Sequence, residues 1–148
     1  LGGAVLTNQK LIDYLKHTSR PVIFSASPTP ASVMAVMKSL EIMKREPERI
    51  SRLWEITNKM KNAFLDLGFK IGPSETPIIP LLIGTLPDCF TFWKAVSAEG
   101  IFVNPVVPPA VPENYCLIRT SYMATHTDEQ LDRSLSVFEK IGKQMGII

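Results

Sequence analysis

Apolar residues recur along this chain at helical spacings in some stretches and at shorter ones in others, and the changes of spacing divide it into elements. Leu11, Ile12 and Leu15 recur at helical intervals behind Thr7 or Asn8, either of which can cap a short helix running toward His17. Arg20-Pro21 ends it, and Val22-Ile23-Phe24 reads as a brief extended piece. Ser25-Ala26-Ser27-Pro28-Thr29-Pro30 is a polar turn punctuated by proline. From residue 31 to about 45, Val33, Val36, Met37, Leu40 and Met43 fall on one stripe, with Met34 and Ile42 between them. That predicts a helix buried on most of its circumference. Glu46-Pro47 breaks the pattern. Ile50, Leu53, Ile56 or Thr57, Met60, Phe64 and Leu67 then mark an amphipathic helix that stops at Gly68.

Beyond Gly68 the period shortens. Residues 78–84 read as a strand whose Pro80 argues for an edge or a bulge. Asp88 can cap a helix through Phe92, Trp93 and Val96 that ends at Glu99-Gly100. Residues 101–103 and 115–119 read as two more strands. Thr127 with Gln130 forms a capping box for a last helix striped by Leu131, Leu135, Phe138, Ile141 and Met145. The order strand, helix, strand, strand, helix predicts an α+β layer: a short antiparallel or mixed sheet with helices packed on one side.

At 148 residues, 45% hydrophobic and 20% charged, the chain has the make-up of a globular protein with a real core. A net charge of +2 without a basic stripe points away from nucleic acid, and no apolar run reaches the about 20 residues of a membrane span. Cys89 and Cys116 fit no metal-ligand or redox spacing and read as free thiols of a reducing cytoplasm. No metal site is expected. The opening Leu1-Gly2-Gly3-Ala4-Val5-Leu6 reads like a chain entered in mid-strand, so a fragment is expected.

Three segments could carry chemistry. Arg119 is an always-charged fork suited to a carboxylate or phosphate, or else a surface residue paired with a neighbouring acid. The loop before its strand, residues 104–112, holds four prolines in nine residues, a stiff wall for a pocket or simply a rigid connector. Ser25, Ser27 and Thr29 open a helix and could bind an anion or merely cap. His126 sits in a cap segment and His17 at a helix end, both with sufficient local roles. No phosphate loop, carboxylate pair or nucleophile–base arrangement is visible, so these residues alone show no catalytic machinery.

Taken together and in order, Leu1-Gly2-Gly3-Ala4-Val5, Phe24-Ser25-Ala26-Ser27, Asn104-Pro105-Val106-Val107-Pro108-Pro109-Ala110-Val111-Pro112 and Leu117-Ile118-Arg119-Thr120-Ser121 resemble the C-terminal part of the α-oxoamine synthases. These are pyridoxal-phosphate enzymes of the aspartate-aminotransferase fold (fold type I) that join an amino acid to an acyl-CoA, in most members with loss of carbon dioxide. Residues 104–112 and Met123-Ala124-Thr125-His126-Thr127 look most like the bacterial serine palmitoyltransferase branch, with the 8-amino-7-oxononanoate synthases and 2-amino-3-ketobutyrate-CoA ligases as near relatives. A simple aminotransferase, or a stand-alone module that binds a partner through its apolar helices, are the rival readings.

The resemblance implies roles. Arg119 would grip the carboxylate of the amino acid; Pro108, Pro109 and Ala110 would line the substrate entrance; Ser25 and the backbone of Ala26 would contact the cofactor phosphate of the neighbouring subunit in a cytoplasmic homodimer built through the large domain. It also implies an organisation: residues 1–27 a remnant of the large cofactor-binding domain, 28–67 a long helical connection, 68–148 the small C-terminal domain. The lysine that carries the cofactor is expected upstream of Gly2, since Lys10 and Lys16 fall at the wrong place on the first helix. The 148 residues by themselves are therefore expected to be inactive.

Overall fold

The computed structural model describes residues 3–148, so Leu1 and Gly2, with their part in the expected strand, lie outside the described residues. Residues 3–8 carry no strand. The chain divides into two compact units, residues 1–46 and 47–148.

In the first unit, helix α1 spans Gln9–Thr18, and the Asn8 side chain caps it by accepting from the Leu11 amide at 3.0 Å. Residues 22–24 are not extended. They belong to a single helical turn, α2 (Pro21–Phe24), because proline's fixed φ suits a first turn and the Phe24 amide closes onto the Arg20 carbonyl at 3.0 Å. Helix α3 runs Pro30–Arg45 from a Thr29 cap. Its apolar stripe is where sequence expectation fails: Val33, Val36, Met37 and Leu40 are all exposed, because nothing within this unit packs over them.

The second unit has helices on one face of a three-stranded antiparallel sheet. Helix α4 (Glu48–Leu67) ends where Gly68 takes φ 97°, the left-handed conformation that glycine adopts without cost. Strand β1 (Ile78–Gly84), helix α5 (Leu86–Ala98), strands β2 (Asn104–Val106) and β3 (Cys116–Ser121), and helix α6 (Asp128–Gln144) follow. The strand order is β1-β3-β2, so Pro80 does sit on an outer strand. Its carbonyl accepts from Gly72 and the Leu82 amide donates to Lys70, so the edge of β1 that lacks a proline N–H points away from β3.

Strand β3 runs on to Ser121, past the expected end at Arg119, and two further boundaries differ from expectation. Helix α5 starts at Leu86 because Thr85, not Asp88, caps it, its hydroxyl donating to the Asp88 carboxylate at 2.6 Å. Pairing of β2 begins at Asn104 rather than Ile101. The α5 C-cap bonds still hold Ile101 to Val96, and the Trp93 indole N–H takes the Val103 carbonyl at 3.0 Å, which removes it from the ladder.

Alternation drives the core face of the sheet inward: Ile79 and Leu81 on β1, Cys116, Ile118 and Thr120 on β3. Ile56, Met60 and Phe64 of α4, Phe92 and Val96 of α5, and Leu131, Phe138 and Ile141 of α6 cover them. Phe64, Phe69 and Phe138 meet edge-on with centroids 5.2–6.3 Å apart, and Phe92 tilts onto Phe138 at 5.7 Å. Asp128 at the start of α6 receives Arg52 at 3.0 Å and Lys59 at 3.4 Å from α4, and the Arg52 bond above all holds its carboxyl below the usual range. The capping box expected of Thr127 and Gln130 is present.

Because Phe138 is 2% exposed and touches rings from three directions, Phe138→Ala should cost about 3–5 kcal/mol in denaturant unfolding. A change below about 1 kcal/mol would mean that the aromatic cluster is not the centre of this core.

Candidate functional site

Strand β3 sorts its side chains by period two. Cys116, Ile118 and Thr120 go to the core; Leu117, Arg119 and Ser121 go to the opposite face, where no helix of this unit lies. Arg119 is exposed there, opposite Pro80 on β1 and Asn104 on β2. Its guanidinium has no hydrogen bond or ion pair among the described residues. The alternative of a surface arginine satisfied by a neighbouring acid is therefore not what the geometry contains. A proline ring on one side and an uncharged amide on the other leave all five donors of the fork available.

The backbone beneath Arg119 is held from the core side. Thr120 is 4% exposed, and its hydroxyl donates to the Ile79 carbonyl at 2.9 Å while accepting from the Tyr122 hydroxyl at 3.0 Å. Burial pushes the Tyr122 phenol well above its ordinary range, so it stays a neutral donor, and its bond to Thr120 opposes that rise only in part. The following turn closes on itself: the Met123 amide donates to His126 Nδ1 at 3.2 Å, and the His126 amide donates back to the Met123 carbonyl at 3.1 Å. His126 thus has the local role its position suggested.

The proline loop has a different placement. Residues 107–115 join β2 to β3 at the Val106–Leu117 end of the hairpin, whereas Arg119 pairs at the other end. Pro108 lines a shallow depression with Leu86, Pro87, Glu113, Asn114 and Cys116, and Arg119 is not on that lining. The larger cleft of the unit, about 520 Å³, lies beside Phe102, Tyr122, His126 and Gln130 and also excludes Arg119. The arginine stands exposed on the sheet face and lines neither of these two cavities.

Ser25 and Ala26 belong to the first unit and follow α2. Both are exposed, and the Ser25 hydroxyl donates to the Pro21 carbonyl. The amides of Ala26 and Ser27 make no hydrogen bond among the described residues, so this turn offers backbone donors of the kind an anion takes. Thr29 accepts from the Ser32 amide at 3.3 Å as a plain cap. Cys89 and Cys116 are free and buried; burial first, then Cys116 beside it, pushes the Cys89 thiol up to about 11.

Sequence reasoning missed Asn104 as the cross-strand neighbour of Arg119, because its place there is a matter of hairpin register. It also missed the Tyr122–Thr120–Ile79 bonds. The alternation of β3, which puts a threonine among its inward positions, was the available signal.

Comparison with known proteins bears on this geometry. The family model for aminotransferase class I and II matches residues 1–138. A serine palmitoyltransferase of Sphingobacterium spiritivorum is 48% identical over 147 residues, which are 99% of this chain and 37% of that protein. An 8-amino-7-oxononanoate synthase of Symbiobacterium thermophilum is 41% identical over 148 residues, 100% of this chain and 38% of that one. Among solved structures, the Sphingomonas wittichii serine palmitoyltransferase superposes with a TM-score of 0.81 at 28% identity over 97% of this chain and 36% of its own. The chain therefore spans little more than a third of the relatives it matches, as their C-terminal part, with the fold-type I architecture. Another solved serine palmitoyltransferase holds pyridoxal phosphate as its internal aldimine.

Replacing Thr120 by valine keeps the shape and orphans the Tyr122 hydroxyl. Thr120→Val should cost about 1–3 kcal/mol, and the double variant with Tyr122→Phe should cost less than the two single losses added. Strict additivity in thermal unfolding would show that the two hydroxyls do not act together. On its sequence match and its architecture alike, this chain belongs to the class I and II aminotransferase family.

Proposed function

We propose that the protein carrying this chain is a pyridoxal-phosphate-dependent acyltransferase that condenses serine with a long-chain acyl-CoA. The amino acid's Cα–carboxylate bond breaks with release of carbon dioxide, a bond from Cα to the acyl carbon forms, and the CoA thiol leaves. The observation that carries this reading is the unpaired guanidinium of Arg119 on the open face of β3, in a chain 48% identical to a serine palmitoyltransferase.

In this reading Arg119 takes the substrate carboxylate as a bidentate pair. Clamping one end of a small amino acid fixes the directions of its Cα bonds, and orientation of that kind is worth several kcal/mol of barrier. The cofactor, when bound, supplies the electron sink for the bond changes at Cα. Its phosphate suits the donor-rich turn at Ser25 and Ala26, contributed to the neighbouring subunit of a homodimer. Pro108, Pro109 and Ala110 line the substrate entrance, with walls that the remaining length of the protein supplies. Residues 1–27 belong with the large domain, 28–67 connect, and 68–148 form the small domain of a cytoplasmic enzyme. No helix among the described residues is long and apolar enough to cross a membrane.

A specific observation favours a second branch: the 41% identity to an 8-amino-7-oxononanoate synthase across the whole chain. Product analysis of the full-length protein with serine and palmitoyl-CoA, against alanine and pimeloyl-CoA, separates the two. We expect the serine and palmitoyl-CoA product to dominate; pimeloyl-CoA turnover in its place would move the protein to the second branch.

For Arg119, removing the partner of a bound carboxylate should cost about 2–5 kcal/mol. Arg119→Ala in the full-length protein should therefore raise the KM for the amino acid by at least about thirtyfold. Arg119→Lys should recover only part of the loss, because an ammonium cannot reproduce the fork. Unchanged affinity for the amino acid would remove this role. In this reading the 148 residues alone, given cofactor and both substrates, show no turnover, since the resemblance assigns the cofactor's lysine to neither Lys10 nor Lys16, both on α1.

A further inference from the structure

Arg119 has two cross-strand neighbours on its face, and only one of them can hydrogen-bond with its side chain. Pro80 on β1 presents a saturated ring; Asn104 on β2 presents an amide. Directly opposed residues of an antiparallel pair hold their Cβ atoms about 4.5–5.5 Å apart on the same face. The Asn104 amide therefore stands beside the Arg119 side chain on the face from which the guanidinium projects. It too is exposed and has no hydrogen bond among the described residues. Its backbone is fixed, as the first residue of β2, by the register that continues through Pro105–Ile118 and Val106–Leu117.

The identity of this side chain matters electrostatically. An aspartate directly opposite Arg119 would pair with it and compete with any incoming anion. Asparagine has nearly the same shape without the charge. It offers an acceptor, Oδ1, that can steady one guanidinium N–H, and a donor, Nδ2, that can reach an anion bound by the rest of the fork. Pro80 on the other flank adds no competing group.

We propose that Asn104 is a second binding contact of the amino-acid site, its Nδ2 donating to the carboxylate that Arg119 holds. The inference rests on the carboxylate-binding reading of Arg119 and adds a second ligand to it. One hydrogen bond to a charged group lost in an accessible site corresponds to about tenfold in affinity.

The test uses the full-length protein and measures serine affinity by calorimetric titration, together with the KM values for serine and for the acyl-CoA. Asn104→Ala should weaken serine binding about tenfold and leave the KM for the acyl-CoA unchanged. Asn104→Asp, the same size but charged, should weaken it more than the alanine variant does, by an internal pair with Arg119. Both positions are exposed, and melting curves identify any variant that fails to fold. Unchanged serine affinity in either folded variant overturns the proposal, as does an equal loss for serine and acyl-CoA, which would mark a merely structural role. Arg119→Ala measured in parallel separates the failures. If it loses serine while the Asn104 variants do not, only the second contact is wrong; if it also binds normally, the reading of the whole site falls.

Discussion

The two-residue alternation of strand β3 is the constraint on which this unit depends: it commits one face to the core and leaves the Arg119 charge on the other without a partner among the described residues. Arg119 projects from a strand whose flanking residues, Ile118 and Thr120, are committed to the core, so its side chain has one direction to go. The face it reaches offers a proline and an asparagine directly across from it, and no acid meets it among the described residues. A guanidinium cannot discharge itself by losing a proton, so on this exposed face it stays charged and is open to water or to an anionic ligand.

What keeps that side chain in place lies on the other face. The Tyr122, Thr120 and Ile79 bonds tie β3 to β1 immediately beside Arg119, and the Met123–His126 turn closes the strand's end before α6 begins. Beneath them, the phenylalanines of α4, α5 and α6 lock the helices to the sheet. The rigid layer and the open face are two consequences of one alternation. The core takes every second residue, and the site takes the others.

Elements whose signal is local were legible in the sequence. Gly68 stops α4, Thr127 and Gln130 cap α6, and Pro80 marks an outer strand, each because one residue's own geometry decides the matter. Elements decided by distant partners were not. The Trp93 indole, ten positions away, takes the Val103 carbonyl and moves the start of β2 to Asn104. Pro21 makes a helical turn of a segment whose Val22 and Ile23 favour a strand by composition. The stripe on α3 was read as a buried helix, yet periodicity records which face is apolar and not what covers it. At the site, Arg119 was legible from its residue type and strand, while Asn104 became visible only through register. The chain spans about 37% of its relatives' length, so an open face here is compatible with a walled site in the longer protein.

The role of Arg119 turns on what its fork grasps, and a crystal structure of the full-length protein with serine bound tests it most directly. Two parallel guanidinium N–H bonds to the substrate carboxylate, each about 2.7–2.9 Å, are predicted. A guanidinium turned from the substrate and paired with an acidic side chain of the protein would contradict it.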